Sequence, residues 1–286
     1  MNRAAWSRAR KRLVIERLAV SVLAITCVAA SHAAGRVFSD DFESGNLSSK
    51  WSADGTRSMC TVAPSGVDGG APHGGRAMMA CNWNGTVAWD HPNAYSTVVL
   101  PQSEWKYNNE FLVRLWLRYD SDVSHSYGDK VLRLDPNDGL DGLYIIPQMN
   151  QPGGPAQIVW EFINGSQGPV YWGEGTTVGD QKWHKLEIYV KASTAANGTL
   201  RVWIDGRLKH ELANAVTVAA GRKWGPLYLM SNWSNNPGSE HGANNHVYWD
   251  DIEVYTDLGT GASGKMSDAT VTAGPAPDPP HGVTVH

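Results

Sequence analysis

The chain has 286 residues, 42% hydrophobic and only 18% charged, with 13 Trp, 30 Gly and 15 Pro. Its formal charge of −4, from 24 basic and 28 acidic residues, does not suit nucleic acid or an anionic membrane surface as a partner.

Arg3, Arg8, Arg10, Lys11, Arg12 and Arg17 precede or open an apolar run that extends to Ala30 and gives way to the small-residue stretch SHAA. A basic region, a short apolar region, and Ser31 and Ala33 placed three and one before a cut read as a secretory signal peptide over residues 1–33. The mature protein is therefore expected to start at Ala34 and to be secreted or periplasmic. The apolar run is too short for a membrane span, and no later segment approaches the ~20 apolar residues a transmembrane helix needs, so no membrane insertion is expected. Without residues 1–33 the chain keeps 18 basic and 27 acidic residues, a formal charge of −9. Cys27 leaves with the signal, and the two remaining cysteines, Cys60 and Cys81, are expected to form a disulfide in an oxidising compartment.

From 34 to 257, short apolar runs alternate with clusters of Gly, Asn, Asp, Ser and Pro, and none keeps a helical period beyond about three turns. This predicts one all-β domain, an antiparallel sandwich. In FLVRLWLRY (Phe111 to Tyr119), alternation sends Val113, Leu115 and Leu117 to one face and Arg114, Trp116 and Arg118 to the other. DKVLRLD adds Lys130 and Arg133, on opposite faces unless a bulge intervenes, and GLYIIPQMN puts Tyr144, Ile146 and Gln148 on one side. KLEIYVKA and TLRVWIDG form a hairpin through Asn197-Gly198, and the chain bends again at Asp205-Gly206. PLYLMSNW sets Tyr228, Met230 and Asn232 opposite Leu227 and Leu229 and ends on Trp233, and VYWDDIEVY closes the domain with the same alternation. Residues 258–286, rich in Gly, Ala and Pro, read as a flexible tail.

Stacked across one sheet, the polar faces of these strands make a groove of Arg, Lys, Tyr, Gln, Asn and Trp. That set suits elimination at a uronic acid: cations and amides neutralise the carboxylate so that the proton at C5 becomes acidic, a Tyr or His takes it, and a Tyr protonates the leaving oxygen. Twelve Trp remain after residue 33, and exposed indoles stack on sugar faces while buried ones fill a core. The E-x-D-x-x-E run of one jelly-roll hydrolase class is absent, as are the G-x-S-x-G, H-E-x-x-H and phosphate-loop motifs. Glu161 and Glu174 are the carboxylates a different hydrolase would use.

FSDDFESGNLSSKW, WHKLEIYVKASTAANGTLRVWIDGRL and VYWDDIEVY together resemble concanavalin A-like jelly-roll domains, most of all bacterial polysaccharide lyases of the alginate and glucuronan type. The resemblance implies catalytic roles for Arg118 or Arg133, Gln148 and Tyr228, with Arg114, Trp116, Lys130, Tyr144, Asn232 and Trp233 touching substrate. The text IPQMN lacks the His of the lyase triplet, so His246 or His241 is the expected stand-in. It also implies a structural calcium where the first and last strands meet, held by some of Asp41, Glu43, Gly45 and Asp251. No organic cofactor is expected, and the protein is expected to be a monomer that acts on an acidic uronate polysaccharide. The alternative is a non-catalytic sugar-binding domain on the same sandwich, a reading the acidic charge favours.

Overall fold

The apolar-polar alternation read above becomes strands, each burying its apolar face against a second sheet. A computed structural model describes residues 35–53, 60–82, 98–105, 109–120, 130–134, 142–148, 157–163, 170–172, 176–177, 180–232, 246–256 and 258. The chain divides into two units, Met1–His32 and Ala33–His286, and every described residue lies in the second. The expected signal peptide, the tail beyond Leu258, Trp233 and His241 lie outside the described residues.

In chain order the strands are β1 (Gly35–Asp40), β2 (Ser52–Ala53), β3 (Cys60–Ala63), β4 (Met78–Asn82), β5 (Val98–Leu100), β6 (Glu110–Tyr119), β7 (Lys130–Leu134) and β8 (Gly142–Gln148). They continue with β9 (Gln157–Ile163), β10 (Val170–Trp172), β11 (Thr176–Thr177), β12 (His184–Lys191), β13 (Gly198–Ile204), β14 (Arg207–Ala215), β15 (Leu227–Asn232) and β16 (His246–Thr256). One 3-10 turn, Gln102–Trp105, is the only helical piece among the described residues, and none of them forms a helix long and apolar enough to cross a membrane.

Two antiparallel sheets result. The first runs β14-β13-β12-β6-β16-β4-β3, with β1 added on β16. The second runs β10-β9-β8-β7-β15-β5-β2, with β11 added on β9. The core between them takes Phe111, Val113, Leu115 and Leu117 from β6, and Leu132, Leu134, Leu227 and Leu229 from β7 and β15, none more than 1% exposed. Burying a side chain of this size contributes about 1.5–3 kcal/mol.

At the start of the chain, the buried Asp40 carboxylate accepts the Trp51 indole N–H at 2.7 Å and the Phe42 N–H at 2.9 Å. This joins β1 to the turn that follows, and Trp51 packs edge-on against Phe38 at 5.2 Å.

One strand departs from the sequence reading. VYWDDIEVY does not alternate throughout: Val247 and Trp249 face the core before the Asp pair, and Ile252 and Val254 face it afterwards. The register against β6 shifts between Asp250 and Glu253, and Asp251 takes a left-handed φ of 46°. The extra residue of a β-bulge flips the phase, which places two consecutive carboxylates at the kink.

Cys60 and Cys81 stand directly opposite each other on β3 and β4 and form the expected disulfide. The bridge closes a loop with a sequence separation of 21, for which chain-entropy arguments give about 3 kcal/mol. A Cys60→Ala/Cys81→Ala variant is expected to lose stability on that scale, read as a lower urea midpoint with an active, folded protein below it; an unchanged midpoint counts against the bridge in solution.

Candidate functional site

The second sheet holds one continuous row of directly opposed residues. Ser52 on β2 pairs with Val99 on β5, Val99 with Tyr228 on β15, and Tyr228 with Arg133 on β7. Arg133 pairs with Tyr144 on β8, Tyr144 with Glu161 on β9, and Glu161 with Trp172 on β10. Directly opposed residues share a face of an antiparallel pair. Because Leu132, Leu134, Leu227 and Leu229 are fully buried, Arg133 and Tyr228, at the alternate positions of their strands, are turned away from the core. The half-buried Arg133 guanidinium lies 5.3 Å from the centre of the Tyr228 ring. A cation and a phenol are thus held together on the face of this sheet turned away from the core.

Three further expected residues fall at one end of this sheet. Lys130 pairs with Asn232 beyond a register shift in β15. Gln148 shares the parity of Tyr144 but stands four residues further along β8, about 13 Å by strand rise. At that end Gln148 pairs with Gln157 of β9.

The other expected groove residues do not join them, and the single groove drawn from the sequence is corrected here. Arg114, Trp116 and Arg118 are on β6 and His246 is on β16, both in the first sheet, and their side chains occupy its outer face, so the whole core separates them from Arg133. Alternation assigned the correct face of each strand, but the two strand sets belong to different sheets.

On that outer face the polar groups are tied to one another. Arg114 donates to Glu187 at 3.1 and 3.2 Å and approaches Glu253 at 3.6 Å, while Arg36 pairs with Glu253 at 2.9 Å. The Arg118 guanidinium pairs with Asp68, donates to the Gln181 carbonyl at 2.8 Å and lies 5.0 Å from the centre of the Tyr248 ring. Tyr248 accepts the Val67 N–H at 2.8 Å, and burial together with nearby Asp120 and Asp68 pushes its phenol up to about 12. His246 stacks on Tyr248, its Nδ1 3.4 Å from Asp120, and burial holds its ring below the ordinary histidine range despite that carboxylate. The Trp116 indole is covered by the His73 ring at 3.6 Å. Beside Arg118 the loop lies close enough that a Cβ at Gly70 would stand 2.0 Å from the guanidinium.

The expected calcium ligands lie on the first sheet too. Asp41 caps its own turn through the Glu43 N–H, and Glu43 accepts the N–H groups of Arg76 and Ala77, which hold its carboxyl below the usual range against the effect of burial. Gly45, at a φ of 74°, closes the turn by donating to the Phe42 carbonyl. Asp251 meets His73 Nδ1 at 2.6 Å. Beside it, Asp250 is fully buried, and burial with the Asp251 charge pushes its carboxyl up to about 7 although the N–H groups of His73, Gly74 and Asp251 all donate to it. The donor chemistry suits a hard cation. Among the described residues, however, no three acidic, His or Cys side chains converge as a ready metal site.

A crystal structure of the endo-β-1,4-glucuronan lyase of the fungus Trichoderma reesei matches with a TM-score of 0.55 at 17% identity, over 78% of this chain and 96% of that one. The fold is the concanavalin A-like jelly roll. Looser likenesses include cellulose-induced protein Cip1 (TM-score 0.47, 18% identity, 76% and 96% of the two chains) and alginate lyase Aly36B (0.47, 13%, 72% and 87%), which carry no argument at that level. No protein-family model and no curated protein matches the chain.

Sequence reasoning missed the partners Glu161 and Trp172 in the row, since register across loops of unknown path is not written in any one strand. In the jelly roll Arg114 is tied between Glu187 and Glu253, and its removal leaves Glu187, whose side chain is 3% exposed, with only Lys185 at 3.8 Å as its ion-pair partner. Arg114→Ala is expected to cost about 3–5 kcal/mol in chemical denaturation, the range for one partner of a buried pair, while leaving polysaccharide binding intact. Lost binding with unchanged stability is the contrary result.

Proposed function

We propose that the chain is an exported polysaccharide lyase that cleaves a uronate-containing polymer by β-elimination on the open face of the second sheet. The observation that carries this reading is Arg133 standing in register between Tyr228 and Tyr144. A polymer lying along the row brings a uronate carboxylate to Arg133, whose charge stabilises the enolate-like state that forms as the C5 proton leaves. Tyr228, acting as its phenolate beside the Arg133 cation, takes that proton and becomes a neutral phenol, the electron pair closes the C4–C5 double bond, and the C4–O bond breaks. Tyr144 protonates the departing oxygen. Tyrosines carry both proton transfers in this scheme, since His246 belongs to the other sheet. Lys130, Asn232 and Gln148, at one end of the sheet, bind neighbouring parts of the chain. The disulfide supports export, because such bridges persist in oxidising compartments.

The test is the ultraviolet absorbance of the unsaturated uronate that only elimination creates, followed on alginate, glucuronan, hyaluronan and pectate. Product is expected on an acidic polymer, with Arg133→Ala and Tyr228→Phe each lowering kcat by about 10²–10⁴ while the protein stays folded. A flat trace on every polymer, with retention in an affinity gel, replaces this reading with the sugar-binding domain.

We also propose a structural calcium beside the β16 bulge, held by some of Asp41, Glu43, Gly45 and Asp251. The carboxylates of Glu43 and Asp251, hard oxygen donors that both bond to the stretch from His73 to Ala77, support it. Calcium is expected to raise the thermal midpoint by several degrees over chelator-treated protein, and Asp251→Asn to abolish the rise; identical midpoints with calcium and chelator overturn the site.

A further inference from the structure

The outer face of the first sheet carries an apolar patch that the elimination scheme does not use. Tyr189 of β12, Leu112 of β6 and Tyr255 of β16 stand directly opposed in one row, and Trp203 of β13 lies beside it, opposite Glu187. All four point away from the core, because their strand neighbours Ile188, Val113, Val254 and Val202 fill it. One face of an antiparallel sheet commonly lies in water, and a large ring on such a face keeps one side wet. Here none of the four is more than 5% exposed. The two phenols reach carboxylates at the rim, Tyr189 donating to Glu110 at 2.6 Å and Tyr255 to Glu253 at 2.8 Å, and burial pushes both well above the ordinary tyrosine range.

Leu258 shows where a cover for this patch comes from. It is buried, it follows the end of β16 by two residues, and it is the only member of the cluster that is not on a strand of this sheet. The chain thus meets the patch as it leaves the last strand, with residues 259–286 still to run. That stretch holds Pro275, Pro277, Pro279 and Pro280 in GPAPDPPHG, residues 274–282. Proline-rich segments dock on aromatic-lined surfaces, and their extended helix is preformed, so ordering it costs little. At ~3.1 Å per residue such a segment covers about 28 Å, whereas the patch crosses three strand spacings, about 14 Å. The stretch 259–273 ahead of it, fully extended, reaches up to about 50 Å, more than the patch requires.

We infer that residues 274–282 dock on the patch formed by Leu112, Tyr189, Trp203 and Tyr255 and close the outer face of the first sheet as a third layer. The sequence by itself reads this stretch as a flexible tail. The tether makes the contact intramolecular, at an effective concentration in the millimolar range, so a modest affinity is enough to hold it closed.

The experiment uses the chain from Ala34 labelled with fluorotryptophan, the fluorine resonance of Trp203 being assigned by its loss in Trp203→Phe. Ending the chain at Leu258 is expected to move that resonance toward its solvent-exposed position and to lower the thermal midpoint by several degrees, and an excess of a peptide of residues 259–286 is expected to reverse both. A second variant keeps the full length and changes Pro275, Pro277, Pro279 and Pro280 to Ser, which is expected to give the same Trp203 shift with an unchanged far-ultraviolet spectrum. An unmoved Trp203 resonance in the Pro-to-Ser variant overturns the inference, whatever the shortened chain does. A Trp203 resonance of the full-length chain that moves with protein concentration assigns the cover to a second copy and overturns it as well.

Discussion

Everything distinctive about this sandwich depends on the register of the second sheet, and that register is held by leucines. Leu132 and Leu134 on β7 and Leu227 and Leu229 on β15 are completely buried, so a one-residue slip of either strand would drive Arg133 or Tyr228 into the core and bring leucines to the surface. Burying an unpaired guanidinium costs far more than any contact the slipped arrangement gains. The core therefore fixes where the polar row stands, and Arg133 and Tyr228 sit opposite each other as a consequence of packing on the other face of the same strands.

The first sheet uses similar residue types for a different end. Its outer face carries Arg114, Arg118, Tyr248, His246 and several carboxylates, a set that reads as chemistry when taken from the sequence alone. In the fold the two arginines are paired with Glu187 and Asp68, Tyr248 is bonded to the loop at Val67, and the glycines at 66 and 70 let the chain lie close enough to cover them. Such a network holds a loop in place and is costly to break at one member, whereas its net contribution to stability is small. Trp116 shows the same point in apolar form, since its ring is spent on His73.

The two faces also differ in electrostatic balance. Around the bulge of β16, Asp250 and Asp251 gather negative charge where backbone N–H groups supply only partial compensation. On the second sheet the Arg133 guanidinium lies against the Tyr228 ring, and its strand position is in register with Tyr144 and, one strand further, Glu161.

Period-two alternation in FLVRLWLRY, VLRL and PLYL was enough to show strands, their inward faces and an all-β sandwich, because burial of apolar side chains acts on each strand separately. The cysteine count was likewise enough to anticipate the Cys60–Cys81 bridge. Alternation failed at VYWDDIEVY, where a bulge costs one unpaired residue and leaves no mark in the pattern beyond the Asp pair itself. The sequence by itself thus determined which residues face away from the core. Only the tertiary structure decided which of those residues meet: it sent Arg118 and His246 to one side of the molecule and Arg133, Tyr144, Glu161 and Tyr228 to the other. The physical reason is that strand partners are chosen by long-range packing and loop closure, neither of which is written in the local pattern of any strand.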